Sequence, residues 1–197
     1  MIEIKYTGDE LWARIERAVE SVKDRLRRVV EALHQVGISY AVIGDYAVQH
    51  WVAQVDESVV RNTRDVDLIL NRDELPAAIA VLDKAGFIYR HSCGVSMFLD
   101  GPDAKARDAV HVVFAGEKVR EDYPEAVPSI DDYALMENVR TLPFEALVRM
   151  KLTSFRDKDR VHLRDLISIS MIDESWLDGL SPVLRERLQD LIDHPDG

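Results

Sequence analysis

Between residues 39 and 114 the hydrophobic period changes repeatedly. After residue 143 it settles near 3.6, and few folds accommodate that order. Residues 39–43 read as a short buried strand, followed by Gly44 and a helical pattern through Ala47, Val48, Trp51 and Val52. Residues 65–70 alternate, with Val66 and Leu68 on one face and Asp65, Asp67 and Ile69 on the other. A helix is predicted from about Asp73 to Ala85, closed by Gly86, and then strands at 87–91, 96–99 and 109–114. Helices follow at 143–156 and 160–170, and a last one starts at Ser181 with Pro182 in its first position. Upstream, Thr7 and Glu10 have the spacing of a capping box. They open a long helix through Leu11, Ile15, Val19, Val22, Leu26, Val29 and Leu33, stopped by Gly37, whose single apolar stripe is expected to face a core. Strands mixed with helices early and helices alone late predict an α+β fold: a small mixed-sheet core at 39–140, an N-terminal helix within 1–38 and a helical part at 141–197. With no repeat, low-complexity tract or Gly/Ser linker, residues 1–197 read as one domain.

The charge is lopsided, 36 Asp plus Glu against 25 Lys plus Arg for a formal net of −11. A grip on duplex DNA needs Lys and Arg against phosphates, so the balance argues against that partner. The apolar runs are too short to span a membrane, and the start MIEIKYTGDELWARI lacks a basic stretch followed by an apolar one, which points to the cytoplasm. Cys93 is the single cysteine, so neither an internal disulfide nor a cysteine-based zinc site is available.

The chemistry concentrates in Arg61-Asn62-Thr63-Arg64-Asp65-Val66-Asp67-Leu68. Two aspartates at i and i+2 of a strand point the same way, roughly 6–7 Å apart. That spacing suits both carboxylates to Mg²⁺ ions bridging a nucleoside triphosphate. Upstream, strand–Gly44–helix is a geometry in which backbone N–H groups cradle phosphates. In this order the segments resemble nucleotidyltransferases of the DNA polymerase beta superfamily. Residues 41–48, Ala-Val-Ile-Gly-Asp-Tyr-Ala-Val, are similar to the Gly-Gly-x-Ala segment, and Arg61-x-Thr63-x-Asp65-x-Asp67 is similar to the metal strand. Residues 147–152 and 156–166 also resemble the bacterial branch that includes type IV toxin–antitoxin nucleotidyltransferase toxins.

The resemblance implies transfer of a nucleoside monophosphate from an NTP to a hydroxyl on a small molecule, tRNA or protein, with Mg²⁺ or Mn²⁺ as cofactor. Asp65 and Asp67 would be catalytic metal ligands, while Gly44, Asp45, Arg61, Thr63 and Lys151 would bind nucleotide. Two positions depart from the family pattern. Asp45 stands where a second glycine or serine is expected, and either caps its helix or repels the triphosphate. His111 stands in place of the third carboxylate. Near pH 7 it would act as general base or complete the metal shell, and imidazole suits Mn²⁺ better than Mg²⁺. These departures leave two other readings open: a degenerate module that binds a nucleotide or protein partner, and a toxin with an antitoxin partner. The stretch 149–164 carries six Lys or Arg against two Asp and is either a phosphate-facing surface or a solvated helix pair.

Overall fold

A computed structural model describes residues 4–195. Strands β1 (Tyr40–Ile43), β2 (Val66–Leu70), β3 (Phe87–Ser92), β4 (Val95–Asp100), β5 (Val110–Phe114), β6 (Ala134–Met136) and β7 (Val139–Thr141) form one seven-stranded sheet in the order β3-β4-β5-β2-β1-β7-β6. It is mixed: β2 runs antiparallel to β1 and parallel to β5, and β1 runs parallel to β7. The α-helices are α1 (Gly8–Gln35), α2 (Gly44–Val52), α3 (Leu75–Lys84), α4 (Phe144–Ser154), α5 (Asp157–Ser168) and α6 (Pro182–Asp193). The α+β class is as expected.

The two faces of the sheet carry separate cores because β2 is buried on both sides. Val66, Leu68 and Leu70 pack against α1 and α3, while Ile69 joins Ala41, Ile43 and the apolar faces of α2, α4, α5 and α6. Burying such a side chain stabilises by roughly 1.5–3 kcal/mol. Asp67 shares the second face with Ile69 but lines the cavity beside that core. The pleat that sends Val66 and Leu68 into one core therefore turns Asp67 toward the cleft.

Two local expectations need correction, and one element was not anticipated. Thr7 is the N-cap of α1, but its side chain makes no capping hydrogen bond. The apolar stripe of α1 reaches a core only from Val22 onward. Leu11, Trp12 and Ile15 are 42%, 64% and 42% exposed, because a 28-residue helix, roughly 42 Å long, outruns the sheet it packs on. The hairpin β6–β7 has no counterpart in the hydrophobic pattern. Its strands have three residues each, and its turn places Glu137 and Asn138 at positive φ.

Candidate active site

The cleft is built where β1 ends and α2 begins. Gly44 has φ +69°, which glycine adopts without strain. A Cβ there would also lie 2.8 Å from Asp67 Cγ and 2.9 Å from its Cβ, so any side chain would collide with the Asp67 carboxylate. The helix start and the acidic strand are thus packed against each other.

Asp67 is paired in register with His111 of β5, and Asp65 immediately precedes β2. His111 Nδ1 lies 3.6 Å from Asp65 and 3.5 Å from Asp67. One ligand atom from each of the three residues falls within 4.8 Å of the other two. Nε2 of His111 lies 3.0 Å from the Ala106 carbonyl, to which it donates, so Nδ1 is the nitrogen that faces both carboxylates, donating to them when protonated and free to ligate once a cation displaces that proton. Thr63 Oγ1 donates to Asp65 at 2.7 Å. Burial works to raise the Asp65 carboxyl, but the hydrogen bonds from His111 and Thr63 outweigh it and hold the group well below the usual carboxylate range. Hydrogen bonds with Asp65 and then Asp67 push His111 up to about 9, against the pull of burial. Two carboxylates and an imidazole nitrogen converging at these distances fit a divalent cation, and Thr63 and the Ala106 carbonyl orient two of the three.

A second group of charges lies beside the first. Lys151 on α4 is only 3% exposed, and its Nζ is 2.8 Å from Asp45, 3.0 Å from His162 Nδ1 and 3.2 Å from Asp159. An ammonium has three donors, and here each faces an acceptor. Burial and then the Lys151 charge lower His162, which keeps its ring neutral and able to accept from Lys151. Asp159 is fully buried and also accepts from Ser154 Oγ, the Arg156 N–H and the Arg156 guanidinium. Asp45 does not cap α2, whose N-cap is Ile43. Its carboxylate is taken by Lys151 and, at 3.4 Å, by Lys158.

Asp65, Asp67, His111 and Gly44 therefore converge, and Lys151 lines the same cavity, of about 320 Å³. Arg61 is drawn elsewhere, pairing through Nε with Asp165 at 2.5 Å, and Thr63 serves Asp65. Lys158 and Arg156, not singled out in the sequence, also line the cavity, with Tyr123, Val127 and Met150. The density of bases in 149–164 was their one signal. Arg25 gave none: from the middle of α1 it donates to the Arg64 carbonyl at 2.8 Å and so fixes the residue before Asp65.

The solution structure of the antibiotic-resistance factor ANT(2'')-Ia is similar over 87% of this chain and 95% of that one, with TM-score 0.57 and 12% identity. A crystal structure of ANT(2'')-Ia in complex with adenylyl-2''-tobramycin covers 84% and 95%, with TM-score 0.51 and 14% identity. An antigenic nucleotidyltransferase-like protein from Paracoccidioides brasiliensis covers 86% and 88%, with TM-score 0.53 and 19% identity. The chain has the nucleotidyltransferase fold. No protein-family model and no curated protein sequence matches it. Among the described residues no helix is long and apolar enough to cross a membrane. On the nucleotidyltransferase fold, Gly44 opens the first helix after β1, Asp67 sits on the adjoining strand and Asp65 immediately precedes it.

Proposed function

We propose that the protein is a metal-dependent nucleotidyltransferase that moves a nucleoside monophosphate from an NTP to a hydroxyl and releases pyrophosphate. The observation that carries the reading is the contact between Gly44 and Asp67. It joins a helix start suited to phosphate with a carboxylate–carboxylate–imidazole cluster suited to a divalent cation. A bound Mg²⁺ or Mn²⁺ would neutralise the phosphate oxygens and favour departure of pyrophosphate. Asp65, Asp67 and His111 Nδ1 would hold that ion, with Thr63 and the Ala106 carbonyl keeping two of the three ligands in place. Lys158 and Arg156 would carry the positive charge toward the phosphates, because the Lys151 donors are already met inside the protein. Val127, Met150 and Tyr123 give the same cavity an apolar wall for the base. Such catalysis is mostly positioning and charge neutralisation.

The test is calorimetric titration of the full chain with ATP, GTP, CTP and UTP, each with Mg²⁺ and with Mn²⁺, beside the Asp65→Asn/Asp67→Asn variant. Metal-dependent binding that the variant loses is the expected result. No binding of any NTP with either metal would overturn the reading. Binding without transfer to any acceptor would instead favour a nucleotide-binding module, the reading that the substitution of His111 for a carboxylate supports.

A further inference from the structure

The sheet register carries the site past His111. On β5 His111 pairs with Asp67 of β2 on one side and with Met97 of β4 on the other, and Met97 pairs with Arg90 of β3. A row Asp67–His111–Met97–Arg90 therefore crosses four strands, roughly 14 Å at the usual spacing between neighbours. The helical core over β1 and β2 does not extend onto β3 and β4, none of whose residues belongs to it. Instead an open depression of about 570 Å³ is lined by Arg90, Val95, Met97, Leu99, Arg107 and His111, among others. Val95 and His111 also line the cavity assigned to the nucleotide, so the two spaces meet at the imidazole.

The lining is unlike the rest of the surface. In a chain with 36 acidic residues, no Asp or Glu lines this depression. Arg90 is exposed and donates to the Tyr89 carbonyl at 3.0 Å. Arg107 is exposed and lies 3.7 Å from the carboxylate of its neighbour Asp108. A guanidinium presents a planar fork of donors that matches phosphate, and Val95, Met97 and Leu99 offer an apolar floor for a carbon skeleton. A polycation would meet two arginines and no carboxylate in the lining. A nucleic acid would find no Phe, Tyr or Trp ring to stack on and a net charge of −11 around it.

We propose that this depression receives the acceptor, and that the acceptor is a small hydroxyl compound bearing a phosphate group, which Arg90 and Arg107 hold with the hydroxyl at the His111 end. The proposal rests on the nucleotidyltransferase reading. The acceptor oxygen bonds to the α-phosphorus, and the bond from that phosphorus to its bridging oxygen breaks. The electron pair leaves on pyrophosphate, and the hydroxyl proton passes to water.

Methyl-labelled NMR of the full chain tests the site without needing turnover. Ribose 5-phosphate and glycerol 3-phosphate are titrated beside ribose, glycerol, tobramycin and a short single-stranded RNA. The phosphorylated compounds should shift the Val95, Met97 and Leu99 methyls where ribose and glycerol do not. Arg90→Glu/Arg107→Glu should weaken that binding about tenfold while leaving NTP binding by calorimetry unchanged. Equal response to the unphosphorylated compounds, stronger response to tobramycin or RNA, or indifference to the double variant would each overturn the proposal. If NTP binds but the sugar phosphates leave these methyls unmoved, the acceptor proposal fails and the transferase reading stands. If the methyls respond but no NTP binds, the transferase reading fails and takes the acceptor role with it.

Discussion

Two clusters of carboxylates share one cleft and have opposite charge balance. Asp65 and Asp67 face each other across His111, with no lysine or arginine paired to either among the described residues. Asp45 and Asp159 surround Lys151, and Lys158 and Arg156 close the cluster from outside. The second cluster is satisfied within the chain and ties α2, α4 and α5 together. In the first, two carboxylates share one imidazole, which leaves a net negative charge that folding does not neutralise, the expected state of a site made for a cation. The difference separates binding from structure: a change in the first cluster should cost function and a change in Lys151, Asp45 or Asp159 should cost stability.

The largest effect should come from Asp67→Asn. Loss of this ligand should lower nucleotide transfer by at least about a thousandfold, as expected where catalysis rests on charge neutralisation. The same change in metal-free protein should move the denaturation midpoint little, because the repulsion with Asp65 that it relieves offsets the pairing with His111 that it removes. Added Mn²⁺ should stabilise the parent chain, by about 2.7 kcal/mol at a hundred times its dissociation constant, and should not stabilise the variant. A variant that unfolds more easily without metal would erase the contrast between the clusters.

Lys151→Met should do the reverse. Removing Lys151 takes a buried cation from both Asp45 and the fully buried Asp159, at a cost of about 3 kcal/mol read by urea denaturation. NTP affinity in the folded fraction should change little, provided Lys158 and Arg156 carry the phosphate charge. A large loss of NTP affinity at unchanged stability would return Lys151 to the phosphates. Acid tests the second cluster as well. Burial alone would raise Asp159, but Arg156, Lys151 and Ser154 hold it down to about 2, from an ordinary value of 3.8. A depressed carboxyl gives its full stabilisation above the unfolded value and loses it as pH falls through the folded one. Roughly 2 kcal/mol should therefore disappear between pH 3.8 and about 2. Asp159→Asn should flatten that part of the stability curve.

The first cluster was legible in the sequence and the second was not. Asp65 and Asp67 stand two apart in an alternating segment, which the local period records, and the family resemblance places His111 beside them. Lys151, Asp45 and His162 come from three helices. Their meeting depends on how α4 and α5 cross α2, which no local pattern records. The same limit explains Lys158 and Arg25, whose roles arise only once the elements have docked. It also explains the stripe at Leu11, Trp12 and Ile15: periodicity shows that a helix is amphipathic but not how far the surface beneath it extends.

The smallest effects sharpen the boundary between ligand and support. Thr63→Val removes the hydrogen bond that orients Asp65 without touching the carboxylate, and should weaken Mn²⁺ binding about tenfold. Arg61 lies two residues away, yet should matter less. Its guanidinium is committed to Asp165 on α5, more than half of its side chain is exposed, and Arg25 holds the following segment independently through the Arg64 carbonyl. Exposed ion pairs contribute less than about 1 kcal/mol, so Arg61→Ala should shift the denaturation midpoint only slightly and change NTP affinity less than about twofold. A tenfold loss of NTP affinity in Arg61→Ala would mean that the guanidinium leaves Asp165 when nucleotide binds. Asp165→Asn would then tighten nucleotide binding by freeing it, an outcome that the pairing seen here does not anticipate.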